Sequence, residues 1–269
     1  MPGPVLSRYL ISLQSASSLR TLRLEDMTLG TDHCIAFESN VRIDLEIELS
    51  NCKLTDEGTQ ALLESQRRNK GPEKLLNCKM DVAVLAEAVR GNRSLKSLKP
   101  CGELDHDQLS PEDFETLAQA LRENEGLVTL DIAGQPIMEE SWSIILKSIQ
   151  NHPSLQVLDL HLTPSSRRMS AATKTDRMLA IVDMLQVNTT ILTIHMLLHE
   201  CDKQVLQDSI NPRLQLNLYR LRVRAIKEGA PGVHKSKLVG YALGKVSKNI
   251  NLLWLILREN ADTDFRNQG

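Results

Sequence analysis

One pattern recurs along the chain often enough to limit its fold to a stack of similar units. Leu19-Arg-Thr-Leu22-Arg-Leu24, Leu127-Val-Thr-Leu130-Asp-Ile132, Leu155-Gln-Val-Leu158-Asp-Leu160 and Ile191-Leu-Thr-Ile194-His-Met196 all read LxxLxL. Leu95-Lys-Ser-Leu98 is its first half. Two degenerate copies, Ile47-Glu-Leu49-Ser-Asn-Cys52-Lys-Leu54 and Leu75-Leu-Asn-Cys78-Lys-Met80, keep a Cys three residues after a leucine. Aligned on the last leucine position, the copies fall at 24, 49, 75, 100, 132, 160 and 196, with spacings of 25, 26, 25, 32, 28 and 36 residues. Self-similarity at a period of about 20–50 residues marks a repeat architecture. Leucine supplies 44 of the 269 residues while Phe, Trp and Tyr together make 3%. That composition fits one packing solution used many times.

The same frame continues ahead of each copy. Asn92-Arg-Ser-Leu95, Asn124-Glu-Gly-Leu127 and Asn188-Thr-Thr-Ile191 read NxxL, and Asn151-His-Pro-Ser-Leu155 reads as the same with one insertion. An Asn there can end a helix in the left-handed conformation. Helical patterns lie between the copies. Thr55 or Asp56 caps a helix carrying Ala61, Leu62 and Leu63, and Asp81 precedes Val84, Leu85, Ala88 and Val89. Ser110-Pro111-Glu112-Asp113 is a strong helix start, with an N-cap, a proline at the first position and two acids in the first turn. Phe114, Leu117, Ala118 and Leu121 follow at helical spacing, as do Trp142, Ile145, Leu146 and Ile149, and then Met178, Ile181, Val182 and Leu185.

On these segments the chain resembles the leucine-rich repeat family. Through LSNCKLTDEG at 49–58 it resembles the ribonuclease-inhibitor-like subtype, which has a full helix in each repeat. The resemblance covers roughly residues 15–210. The stretch from Leu216 to Lys227 is similar to the ending of a leucine-rich repeat family of stramenopile algae. The resemblance implies an α/β solenoid, with a curved parallel sheet on the concave face and helices on the convex face. It also implies that Cys52 and Cys78 satisfy backbone groups between adjacent repeats. Members of the family are mostly adaptors and scaffolds, so it implies a protein partner and no enzymatic activity.

The ends depart from the pattern. Val5, Leu6, Tyr9, Leu10 and Leu13 predict an N-terminal covering helix over 4–14. Repeat grammar stops near 215, which divides the chain into a solenoid, 1–215, and a helical C-terminal cap, 216–269. Within the cap, Leu238, Tyr241, Ala242 and Val246, then Leu252 to Leu257, suggest two helices. Trp254, Leu255 and Leu257 are expected to cover Ile194 and Met196 of the last repeat. Terminal units must hide the surface that a stacked neighbour would otherwise bury.

Chemistry finds little support. The five cysteines form no CxxC pair, which speaks against structural zinc and points to a reducing intracellular compartment, cytoplasmic in the simplest case. Gly229-Ala-Pro-Gly232-Val-His-Lys235-Ser236 fails the GxxxxGK[ST] spacing and reads as a turn. His195, His199 and Cys201 form a His/Cys neighbourhood, but His195 falls inside a predicted strand, where an i, i+4 pair does not converge. No GxSxG occurs. The expectation is no catalytic residue, no metal, no cofactor and no small-molecule substrate. No apolar run reaches the roughly 18–20 residues of a membrane span.

Two binding readings remain. The first is a protein-interaction scaffold that uses the concave face. The side chain between the last two leucines of each copy should point there, because strand side chains alternate. That row is Arg23, Glu48, Lys74, Lys99, Asp131, Asp159 and His195, and the next row out is Glu25, Ser50, Leu76, Cys101, Ala133, His161 and Leu197. The alternative is binding of nucleic acid or an acidic surface by the C-terminal segment. Residues 209–269 carry 11 Lys/Arg against 4 Asp/Glu in a chain of net charge -2. Nucleic acid is the less favoured of the two partners, since the nearby Tyr219, Tyr241 and Trp254 read as apolar-face residues.

Overall fold

A computed structural model of the chain describes residues 2–13, 19–40, 45–100, 110–133, 137, 139–160, 170–196, 203–227, 244, 252, 254 and 255. Seven strands form one parallel sheet in the order of the chain: β1 (Thr21–Glu25), β3 (Glu46–Ser50), β5 (Lys74–Cys78), β6 (Ser97–Pro100), β7 (Thr129–Asp131), β8 (Val157–Asp159) and β9 (Thr193–His195). The short strands β2 (Thr28–Leu29) and β4 (Lys53–Leu54) form a second parallel pair. A parallel connection between neighbours needs a crossover. Helices supply it: α2 (Thr31–Asn40), α3 (Asp56–Arg67), α4 (Val82–Val89), α5 (Pro111–Glu123), α6 (Glu139–Ile149) and α7 (Ala171–Val187). The chain thus folds as a leucine-rich-repeat-like α/β solenoid, with α1 (Gly3–Leu13) packed on α2 at its start.

Each helix forms where its caps and apolar stripe permit. Thr55 accepts a bond from the Gly58 amide, Asp81 from Ala83, and Ser110 and Asp113 cap each other reciprocally. Leu62, Leu85, Val89, Phe114, Leu117, Leu121, Trp142, Ile145, Ile149, Ile181 and Leu185 all enter one continuous core. Helix α2 buries His33, Cys34, Ala36 and Phe37 on one face, but three of these are small or polar while the apolar Ile35 faces outward, so hydrophobic periodicity did not reveal it.

Register corrects the alignment of the repeats. Leu24, Leu49, Leu75, Leu98, Leu130, Leu158 and Ile194 are direct partners from strand to strand. The third leucine of the first copy therefore pairs with the second leucine of the later ones. Cys78 lies opposite Pro100 across a register irregularity after Leu76. The cause is one inserted residue at the strand exit. Asp26, Asn51 and Asn77 all take positive φ, between 52° and 54°, a region that Asn and Asp tolerate better than other side chains. Each adds a step that the later copies lack, and Cys52 and Cys78 then fill the place that Ile132 and Leu160 fill later.

Buried side chains close the backbone on both edges. The Cys52 Sγ lies 3.4 Å from the Leu24 carbonyl and the Cys78 Sγ 3.6 Å from that of Leu49, so both thiols bridge adjacent repeats. On the other edge the NxxL asparagines form a ladder. Asn124 donates to the Val89 and Asn92 carbonyls and accepts from the Gly126 and Leu127 amides, at 2.6–2.9 Å. Asn92 and Asn188 make equivalent bonds. Asn124 and Asn188 are extended, with φ of -86° and -70°, so the side chain ends the helix and not a left-handed backbone. In the remaining copy the rung is His152 and not Asn151: its Nδ1 accepts from Leu155 at 3.1 Å. That copy has no insertion.

The C-terminal side also differs from expectation. Helix α9 (Asn211–Lys227) runs unbroken across position 215, after two helical turns, α8 (Lys203–Val205) and Leu206–Ile210. Its Asn217, buried, donates to the Asn188 and Ile191 carbonyls as the last rung of the ladder. Leu255 and Leu252 are buried, but against Leu216 and Tyr219 of α9 and not against Ile194 or Met196. Trp254 is 58% exposed. Leu257, Leu238, Tyr241, Ala242, Val246 and the Gly229–Gly232 turn lie outside the described residues.

Candidate functional site

The sheet face opposite the helices carries all seven residues singled out from the sequence, none of them buried. Alternation puts them there because each flanks the inward-facing leucine of its strand, or Ile194 in β9. The register divides them into two rows. Arg23, Glu48 and Lys74 pair in sequence across β1, β3 and β5, and Lys74 then continues to Ser97. Lys99 is instead the partner of Leu76, and Asp131, Asp159 and His195 follow in its row. A slip of two residues preserves the face and changes the row, which is why the alternation held while the single row did not.

The row shift creates two charge groups. In the first, Arg23 contacts Glu25 at 2.8 Å and Glu48 at 3.3 Å, and Lys74 contacts Glu46 at 3.3 Å and Glu48 at 3.6 Å. Arg23 also donates to the Ser50 hydroxyl. In the second group, Lys99 holds Asp131 at 2.8 Å and His195 lies 3.5 Å from Asp159. Asp131 and Asp159 stand side by side across β7 and β8, an arrangement that like charges disfavour. The outer Lys99, paired with Asp131, offsets it. Half-buried Leu76 sits between the groups, in the row that joins Ser50 to Lys99. Of the second predicted row, Cys101, His161 and Leu197 lie outside the described residues, and Ala133 is in the turn after β7.

Two of the three described thiols, Cys34 and Cys78, are shifted away from reactivity. Burial alone pushes the Cys34 thiol up to about 12. Contact with the Cys52 sulfur, and then burial, holds Cys78 far above the ordinary thiol range. Thiols so shifted are poor nucleophiles. His199 and Cys201 lie outside the described residues, and His195 meets Asp159 on the sheet. Among the described residues no group of three or more His, Cys, Asp or Glu is placed to hold a metal ion, and no helix is long and apolar enough to cross a membrane.

No family model matches the chain, and no curated protein matches it by sequence. Among solved structures, "Leiomodin-1 Actin-Binding Site 2 (ABS2)" superimposes with a TM-score of 0.49 at 16% identity, over 62% of this chain and 93% of that one.

Proposed function

We propose that the chain is a non-enzymatic scaffold of the ribonuclease-inhibitor-like kind that binds a protein partner on its exposed sheet face. The observation that carries this reading is the pair of registered charge groups flanking Leu76. Each of these part-buried pairs keeps one partner 30% or more exposed, so solvent screens it and it adds on the order of 1 kcal/mol or less to stability. The same arrangement suits recognition. Fixed charges of both signs set a partner's orientation and reject mismatched surfaces. A half-buried leucine between them offers the apolar centre that a charged rim surrounds in interfaces. The helix in every repeat supports the subtype.

The test is a capture from cell lysate with the full chain and two variants. Asp131→Lys with Asp159→Lys reverses the second charge group. Arg67→Glu with Arg122→Glu alters exposed helix positions. Partners lost with the first variant and kept with the second support the reading. Equal capture by all three chains overturns it.

A further inference from the structure

The stretch that leads into α7 carries a motif that neither the repeats nor the sheet face uses. Ser170 follows Arg167-Arg168-Met169, and it is the one Ser or Thr of the chain with Lys or Arg at both the third and the second position before it. The other adjacent basic pair, Arg67-Arg68, has Lys70 at the matching place. Protein kinases select their substrates by such charge patterns. Carboxylates of an arginine-directed kinase pair with the two guanidiniums and so set the accepting hydroxyl at a fixed distance. Arg167, Arg168 and Met169 lie outside the described residues; what they supply is charge at a fixed sequence spacing.

Ser170 itself is exposed and is the N-cap of α7, with φ of -62° and ψ of 155°. That backbone is extended, so the acceptor is not locked inside a helical turn. Its Oγ accepts from the Thr173 amide at 3.1 Å and lies 2.8 Å from the Thr173 hydroxyl. Both bonds are local and exposed, and helix ends fray. The start of α7 also differs from those of the other crossover helices. Helices α2, α3, α5 and α6 place Asp or Glu in the first turn, and α4 has Asp81 as its cap. In α7 the cap is neutral, the first turn holds no acid and Lys174 follows. Negative charge is stabilising near a helix N-terminus. A phosphoryl group on Ser170 supplies there what carboxylates supply to the other helices.

We propose that Ser170 is a phosphorylation site for an arginine-directed protein kinase, and that the phosphate tightens the start of α7. In the reaction the Ser170 Oγ attacks the γ-phosphorus of ATP. The Oγ–P bond forms as the bridging P–O bond to ADP breaks, and the hydroxyl proton passes to the base of the kinase. The product carries close to two negative charges and three acceptor oxygens. They lie beside the first-turn amides of Ala172 and Thr173, which have no carbonyl of the helix to bond. Ser170 is not a sheet-face residue, so the modification stands whether or not that face binds a partner.

The experiment incubates the full chain with MgATP and the catalytic subunit of a cyclic-AMP-dependent protein kinase, an arginine-directed probe. Peptide mass spectrometry locates the phosphate. Ser170→Asn keeps a cap of similar strength and removes the accepting hydroxyl. Arg167→Ala with Arg168→Ala leaves the cap in place and removes the charge pattern. The expected result is phosphate on Ser170 of the wild type and none on that peptide of Ser170→Asn. The double-arginine variant should be labelled about tenfold or more slowly. In the phosphorylated chain, amide exchange at Ala172 and Thr173 should slow by about twofold to fivefold. A wild type that takes no label, or takes it at another residue in place of Ser170, overturns the proposal. So does an unchanged labelling rate in the double-arginine variant, or exchange at the start of α7 that is unchanged or faster after phosphorylation.

Discussion

His152 shows what one rung of the ladder is worth. Its Nδ1 accepts backbone amides, so the ring proton is on Nε2, which is buried and has no acceptor among the described residues. An asparagine would offer an NH2 group to the carbonyls that Asn124 and Asn188 reach in their own copies. His152→Asn should therefore raise unfolding stability by about 1 kcal/mol at pH 7, read from urea midpoints. Burial also lowers the His152 pKa to about 4, against about 6.5 in an unfolded chain. Between those values the unfolded state binds the extra proton. Stability is therefore complete above about pH 6.5 and falls as pH drops toward 4, by up to about 3 kcal/mol. The asparagine variant should lack that part of the pH dependence. Asn124→Ala has the opposite effect. It leaves two buried carbonyls and two amides without their partner and should cost about 2–4 kcal/mol in the same measurement.

Among the elements, the joint between β6 and β7 is the weakest point of the sheet. Pro100 has no amide hydrogen, and the pairing of β6 with β7 ends at Leu98 and Leu130, whereas β7 and β8 stay paired through Asp131 and Asp159. The Lys99–Asp131 ion pair spans the gap. Hydrogen exchange should open the amides across β6–β7 before those across β7–β8, and Asp131→Asn should widen the difference. The turns stack closely on the opposite edge. A Cβ at Gly126 would come within 2.5 Å of the Arg93 Cα, backbone that cannot give way cheaply. Gly126→Ala should lower stability by about 2 kcal/mol or more, as overpacked sites do. Calorimetry on the purified variant is the check.

For the whole molecule, stability runs along one dimension. Each repeat rests on its neighbours, and the open ends decide solubility. At the start, Leu6 and Leu10 of α1 join the core. At the other end α9 contributes Leu214 to the core and Asn217 to the ladder. A chain ending at residue 210 should aggregate, since it uncovers a repeat face whose residues contribute about 1.5–3 kcal/mol each when buried. A chain ending at residue 227 keeps the ladder and, among the described residues, uncovers Leu216 and Tyr219, so it should stay monomeric with a modest fall in melting temperature. Light scattering and thermal melts distinguish the two. We take α9 as the functional boundary of the repeat array, because its rung completes the series that Asn92 begins.

Much of this molecule was legible in its sequence. LxxLxL and NxxL recur because every repeat meets the same local demand, a leucine under the sheet and an amide donor at the helix end. Ser110, Asp81 and Thr55 announced their helices because capping depends on neighbours within one turn. The face of Arg23, Glu48, Lys74, Lys99, Asp131, Asp159 and His195 followed from alternation alone. Tertiary structure decided what depends on contact between repeats. Register was one such matter: the left-handed Asp26, Asn51 and Asn77 each add a residue, and only strand pairing reveals which leucines then meet. The ladder was another, because His152 and Asn217 differ in type or in local setting from the other rungs. They become equivalent only when the carbonyls of the preceding repeat are placed beside them. The charge groups belong to the same class. Contacts such as Arg23–Glu48 and Lys99–Asp131 join residues 25 or more apart, and such proximity is set by stacking, which local sequence does not encode.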